Sequence, residues 1–151
     1  MNLNNINLAE GYLREAKIRL KYAEEALKVD KDYAYCVRSS QEVVELSVKA
    51  ILRLYGLEVP KTHDPGRELV KNKEKFPEWL KNNIGEIEFI SRWLSLERIP
   101  SFYGDEETGT PPNEIYDEEY CKKALESANY VYQIAEKALN ETKERFHSYL
   151  K

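Results

Sequence analysis

The sequence predicts an all-α protein, an up-down bundle of four long helices and one short helix. Apolar residues recur at three- and four-residue spacing in each apolar segment, and no segment alternates apolar and polar residues as a half-buried strand does. The chain has only 6 glycines and 6 prolines, which leaves little room for a turn-rich β fold. Because short links join the long helices, consecutive helices are expected to run antiparallel.

The first two helices are predicted from their apolar stripes. Residues 7–29 form the first helix, because apolar residues line one face and charged residues the opposite face. That stripe consists of Leu8, Tyr12, Ala16, Leu20, Ala23 and Leu27. Asp30 or Asp32 caps the second helix, which ends near residue 55. Its inward side chains are Tyr33, Val37, Val44, Val48 and Ile51.

The second half of the chain predicts three further helices and one long loop. A short third helix is expected over residues 65–73, and a fourth over residues 77–96 with a stripe of leucine and isoleucine. Residues 98–116 hold three prolines and two glycines, and they are expected to form a long irregular loop. Asp117 caps the last helix, which runs toward Leu150 and whose apolar face is rich in alanine.

Length and charge limit the classes of function. A chain of 151 residues predicts one domain, residues 1–151, with a substantial core. Its net charge of -4 argues against a general nucleic-acid coat, although a local basic patch remains compatible with it. No apolar run is long enough to span a bilayer, and the first residues lack the pattern of a signal peptide. We therefore expect a cytoplasmic protein without a membrane partner.

The cysteines and metal-binding residue types predict no cofactor. Cys36 and Cys121 are far apart in the sequence and lie within helical patterns, so they are expected to be reduced core residues rather than a disulfide. No cluster of cysteine, histidine or carboxylate residues has the spacing of a metal site. No glycine-rich phosphate loop is present. Neither a metal nor another cofactor is expected.

The segment around His63 is the best candidate site. Asp64 followed by Pro65 predicts a helix start, capped by the Asp64 side chain. A loop with a lysine, a threonine and a histidine beside free backbone N–H groups is suited to an anion, which points to Lys61, Thr62 and His63. The alternative is that Thr62, His63 and Asp64 only cap the helix. On the preceding helix, Glu45 and Lys49 form an i, i+4 ion pair in the favourable order.

Two stretches resemble the HEPN family (higher eukaryote and prokaryote nucleotide-binding). The first resembles the family pattern Gln-x-x-x-Glu-x-x-x-Lys-Ala, then glycine, then Pro-Lys-Thr-His-Asp, and it consists here of Gln41, Glu45, Lys49, Ala50, Gly56 and residues 60–64. The second, residues 96–105, resembles the family loop Tyr-Ile-Pro-Ser-Arg-Tyr-Pro-Asp. In this chain Phe102 replaces the arginine and Gly104 the proline, and Arg98 is the candidate replacement for the missing cation.

The resemblance implies a small, dimeric HEPN-like bundle that binds a nucleotide or RNA, encoded beside a minimal nucleotidyltransferase in a toxin–antitoxin-like pair. Catalytic HEPN ribonucleases carry an arginine separated from a following histidine by four to six residues, and neither His63 nor His147 has one. The first hypothesis is therefore a non-catalytic binding protein whose polar cleft holds Lys61, His63 and Arg98, with Glu45 and Lys49 setting the electrostatics. The alternatives are a metal-independent ribonuclease toxin using His63, and a structural dimerisation module.

Overall fold

The computed structural model describes residues 2–150 and confirms the all-α prediction. Helices account for 81% of the described residues, and these residues form no strand. The helices are α1 (Leu3–Glu25), α2 (Tyr33–Leu54), α3 (Gly66–Lys71), α4 (Glu78–Leu96), α5 (Arg98–Tyr103), α6 (Pro112–Ile115) and α7 (Glu118–Leu150). A π-helical turn, Ala26–Asp30, extends α1, and a short 3₁₀ turn, Lys73–Lys75, follows α3.

Helix α2 is the central element of the fold. It packs against α1 and α7 along much of its length, and also contacts α4 and α5. Of its 22 residues, 14 are buried, so more than one of its faces lies in the core. The polar side chains that α2 retains are therefore held between neighbouring helices, where each needs a hydrogen-bond partner.

The ends of α1, α2 and α7 follow local capping chemistry. The first helix begins earlier than predicted, because the Asn2 side chain accepts a hydrogen bond from the Asn4 amide at 2.8 Å. Of the two predicted candidates for the cap of α2, Asp30 and Asp32, the structure selects Asp32, whose side chain accepts a hydrogen bond from the Tyr35 amide at 3.1 Å. Asp117 caps α7 as predicted, accepting from the amide of Tyr120 at 2.8 Å. The starts of α2 and α7 are predictable because each cap lies within three residues of its donor.

The prediction of a long irregular loop over residues 98–116 is wrong. Helices α5 and α6 lie within it, so the structure has three short α-helices in addition to the four long ones among residues 2–150. Pro100 is tolerated in α5 because it occupies the first turn, where a backbone N–H would have no intrahelical partner. The helix ends at Gly104, with φ of 77°, where a Cβ would collide with the Thr110 carbonyl.

The acidic segment that follows α5 is an ordered turn. The Asp105 amide donates a hydrogen bond to the Thr110 backbone oxygen at 2.9 Å, and the Thr110 amide donates to the Asp105 backbone oxygen at 3.1 Å. The Asp105 carboxylate also accepts from the amides of Glu107 and Thr108 at 3.0 and 3.3 Å. Asp105 therefore has a local structural role that its position in an acidic run did not indicate.

Asp64 does not cap the third helix, contrary to the prediction. Helix α3 begins at Gly66, and no side chain caps it. The Asp64 carboxylate instead accepts a hydrogen bond from the Ser91 hydroxyl of α4 at 2.7 Å, and the Gly66 amide donates to the same hydroxyl at 3.1 Å. A tertiary partner on α4 thus replaces the local cap that the Asp-Pro pair predicts.

The prediction of reduced cysteines is also wrong, since Cys36 and Cys121 form a disulfide. Cys36 lies on α2 and Cys121 on α7, with their Cα atoms 5.9 Å apart and both residues fully buried. A separation of 85 residues in sequence concealed a contact that arises only because α2 and α7 pack side by side.

Candidate functional site

The first part of the candidate site is a stripe of polar side chains on α2. Five residues at three- and four-residue spacing share one face of this otherwise mostly buried helix: Arg38, Gln41, Glu42, Glu45 and Lys49. Residues at such spacing are neighbours on a helix surface. The stripe faces the loop that carries His63 and the short helix α5 that carries Arg98, as the contacts below show.

Glu45 is the negative centre of the stripe. Its carboxylate accepts hydrogen bonds from Lys49 at 2.8 Å and from Gln41 at 3.1 Å, and it lies 2.9 Å from Nδ1 of His63. Burial alone would raise the pKa of Glu45, but the hydrogen bonds from Lys49, Gln41 and His63 outweigh it and leave that pKa below its ordinary value. The Glu45 carboxylate is therefore charged at neutral pH and orients the His63 ring.

Gln41 connects the histidine loop to α5. It is only 1% exposed, and its amide nitrogen donates to Glu45 and, at 3.3 Å, to the backbone oxygen of His63. Its amide oxygen accepts from Nη1 of Arg98 at 2.7 Å. The buried Gln41 side chain thus fixes the His63 loop relative to α5, although His63 and Arg98 are more than 30 residues apart in the sequence.

Three arginines surround a single glutamate beside this network. Arg19 lies 2.9 Å from the Glu42 carboxylate, and Arg38 and Arg98 lie 3.9 and 4.0 Å from it. Arg38 also donates to the backbone oxygen of Arg98 at 3.1 Å. Since the two longer separations exceed hydrogen-bonding distance, Glu42 leaves much of the positive charge of Arg38 and Arg98 available to another anion.

Two of these arginines, Arg38 and Arg98, and the imidazole of His63 line a cleft of about 480 Å³, called the arginine cleft here. Its lining consists of Arg38, His63, Ser95, Arg98, Ile99, Phe102 and Tyr103. The side chain of His63 is 59% exposed, and Phe102 and Tyr103 are 57% and 60% exposed. The guanidinium of Arg38 lies over the Phe102 ring, 4.6 Å from its centre. Cations beside open aromatic faces suit a ligand with both phosphates and bases.

The structure brings some of the predicted site residues together and leaves others apart. His63 and Arg98 both line the arginine cleft, and Glu45 and Lys49 lie behind His63. Lys61 and Thr62 are exposed and lie outside the lining of the cleft, as does Asp64. The Thr62 hydroxyl accepts from the Asp64 amide at 3.2 Å, which is a local turn contact.

Two of the backbone amides at the start of α3, which the sequence suggested as anion donors, already have protein partners. The Gly66 amide donates to Ser91, and the Glu68 amide donates to the backbone oxygen of Pro65 at 3.0 Å. Positive charge at the site comes instead from the arginine side chains. The sequence interpretation missed Arg38, Gln41, Glu42, Phe102 and Tyr103 as site residues. Arg38, Gln41 and Glu42 could have been found from the sequence, because they form a stripe of charged and amide side chains on a mostly apolar helix.

Residues 2–150 contain neither a cluster of metal-binding residues nor a membrane-spanning helix. No group of three or more histidine, cysteine, aspartate or glutamate residues in this part of the chain could hold a metal ion. Within the same residues, no helix is both long enough and apolar enough to cross a bilayer.

Comparison with known proteins relates the chain to one family. The family model described as "HEPN domain" matches residues 9–140. The crystal structure of TT1696 from Thermus thermophilus is similar, with a TM-score of 0.69 and 23% sequence identity, covering 86% of this chain and 97% of that one. At that identity the likeness is one of fold alone. A search of curated proteins finds no match.

Proposed function

Because the chain belongs to the HEPN family, whose model matches most of its length, we propose that it is a non-catalytic protein that binds a nucleotide or RNA in the arginine cleft. Family membership relates it to nucleotide- and RNA-related functions. The observation that carries the proposal is the convergence of Arg38, Arg98 and the exposed His63 on one cleft of an acidic protein. Local cations of this kind attract phosphate even where the net charge of the chain is negative.

The family also supports a partner for this proposal. Minimal HEPN proteins are often encoded beside a minimal nucleotidyltransferase, so the proposed partner is a nucleotidyltransferase-fold protein in a toxin–antitoxin-like pair. The cytoplasm is the compartment in which such a pair would meet RNA. These features rest on the family resemblance and not on the cleft.

One observation favours a second candidate, a metal-independent ribonuclease. The His63 ring is oriented through Nδ1 by the charged Glu45, while most of its surface is exposed to the cleft. A histidine held in this way can act as a general acid or base, with Arg98 stabilising charge on the phosphate. The absence of an arginine separated from a following histidine by four to six residues favours the non-catalytic candidate.

Binding to a short, fluorescently labelled single-stranded RNA tests the proposal. His63→Ala and Arg98→Ala are each expected to weaken binding by about tenfold, because each removes a charge-assisted contact to phosphate. Affinity should also fall as salt is added. Fluorescence polarisation measures both effects, and His147→Ala, which changes the other, exposed histidine, is the matched control.

Unchanged affinity in both His63→Ala and Arg98→Ala would contradict the cleft as the binding site. The same RNA, incubated with the wild type in the presence of a chelator and separated on a gel, tests for cleavage. Cleavage by the wild type that is lost in His63→Ala would replace the non-catalytic proposal by the ribonuclease candidate.

We also propose that the protein is a homodimer, joined through the outer face of α4 and α5. The alanines of α7 are fully buried in the chain's own core and so are not available to a second copy. Three large apolar side chains remain open on α4 and α5 instead, since Phe89, Leu96 and Ile99 are each 69% exposed. A two-fold contact would bury the same patch on both copies.

Leu96→Glu is expected to shift the protein from dimer to monomer, because it places two charges in the apolar contact of a symmetric pair. Size-exclusion chromatography with light scattering measures the mass. Val29→Glu is the matched control, since Val29 is also 69% exposed but lies on the turn after α1. A wild type that remains a monomer at micromolar concentrations would reject the dimer.

A further inference from the structure

A second cavity adjoins the arginine cleft. It has a volume of about 570 Å³ and lies between the turn joining α1 to α2 and the segment containing α5 and α6. Arg38 and Phe102 line both cavities, so this stacked pair stands between them as a partition. Each cavity falls within the range of roughly 300–1,000 Å³ that is typical of small-ligand sites.

The partition itself has groups for a phosphate and a base. Within residues 2–150, the only hydrogen bond that the Arg38 guanidinium donates is to the backbone oxygen of Arg98, and its nearest carboxylate is 3.9 Å away. Its remaining N–H groups can bind a phosphate that passes over the partition. The Phe102 ring is covered on one side by Arg38 and is still 57% exposed, which leaves ring surface for stacking.

The second cavity differs in charge from the arginine cleft. Besides the shared Arg38, its wall has the carboxylates of Asp30 and Asp32 with the ammonium group of Lys31 between them in sequence, the amide of Asn113 and the ring of Tyr35, which is 47% exposed. Carboxylates repel a phosphate, but they accept hydrogen bonds from the amino groups of bases, and an asparagine amide can bind a base edge. An exposed tyrosine ring supplies a stacking surface. The second cavity therefore offers hydrogen-bond acceptors, an amide and an aromatic ring that suit a base.

We propose that the ligand is single-stranded RNA that spans both cavities, with one nucleotide in the arginine cleft, the next base in the second cavity and the connecting phosphate on Arg38. This inference rests on the proposed function and deepens it, because it selects an oligonucleotide over a mononucleotide. The cations of the arginine cleft are followed by the Arg38–Phe102 partition and then by the base-binding groups of the second cavity. A strand that crosses the partition would place its connecting phosphate at Arg38 and its next base among those groups.

Isothermal titration with a 5′-mononucleotide and with the dinucleotide of the same base tests the inference. The dinucleotide is expected to bind at least about tenfold more tightly, because a second base stacks and forms hydrogen bonds. Tyr35→Ala should remove most of that gain and leave the affinity for the mononucleotide unchanged. The Asp32 cap on the backbone amide of residue 35 is retained in this variant, so α2 keeps its start.

Tyr103→Ala is the matched control, since Tyr103 lines only the arginine cleft and is also exposed. It is expected to weaken mononucleotide and dinucleotide by the same factor. Equal affinities of the wild type for the two ligands, or an equal loss of both in Tyr35→Ala, would overturn the two-cavity inference while leaving the arginine cleft as a nucleotide site. Absence of binding by either ligand and by longer RNA would overturn the proposed function itself.

Discussion

Removal of the disulfide between Cys36 and Cys121 is expected to lower the free energy of unfolding by about 4 to 5 kcal/mol, the chain-entropy value for a loop of this length. The bond closes a separation of 85 residues, from the start of α2 to the start of α7. A long cross-linked loop restricts the unfolded chain strongly, and breaking the bond returns that freedom. The double variant Cys36→Ala, Cys121→Ala avoids placing a new polar group in a fully buried position.

Thermal and urea unfolding measure the effect. For a domain of this size, the melting temperature should fall by roughly 10 to 18 °C. A reducing agent supplies the control, because it should lower the stability of the wild type toward that of the double variant and leave the double variant unchanged. A wild type whose melting temperature does not respond to a reductant under unfolding conditions would show that the two thiols are not joined.

Gln41→Leu is expected to cost about 3 kcal/mol of unfolding free energy and to weaken RNA binding at least as much as Arg98→Ala. Leucine is similar in volume, so the main loss is that of polar contacts. The change removes the amide oxygen that accepts a hydrogen bond from Arg98. It also removes the amide nitrogen that donates to the Glu45 carboxylate and to the His63 backbone oxygen. Since the Arg98 and Glu45 side chains are only 20% and 15% exposed, water replaces these contacts poorly.

Ser47→Ala is the matched control for Gln41→Leu. Ser47 lies on the same helix and is fully buried, and within residues 2–150 its hydroxyl has no hydrogen-bond partner. Its replacement should leave stability unchanged or slightly raise it. Denaturant unfolding measures both variants. Equal, small changes in the two would mean that the Gln41 network contributes little and that the positions of His63 and Arg98 depend on other contacts.

The long helices were predictable because the interactions that define them are local. Apolar spacing and capping residues act within a few residues of the chain. Asp117 caps α7 as the sequence predicts, and Asp32 is the one of the two predicted candidates that caps α2. The pair Glu45–Lys49 is likewise an interaction within one helix. The two short helices α5 and α6 were missed, because their prolines and the nearby glycines are typical of loops and because packing on α2 supports them.

The sequence by itself determined the all-α class, the four long helices and the ion pair Glu45–Lys49 within α2. Tertiary structure alone decided which residues meet: Arg98 with Gln41 across 57 positions, Arg38 with the backbone of Arg98 across 60, and Cys36 with Cys121 across 85. It also assigned Asp64 to Ser91 rather than to a helix cap. Helix formation depends on neighbours in sequence, whereas a binding cleft depends on how finished helices pack, and no local pattern encodes that packing.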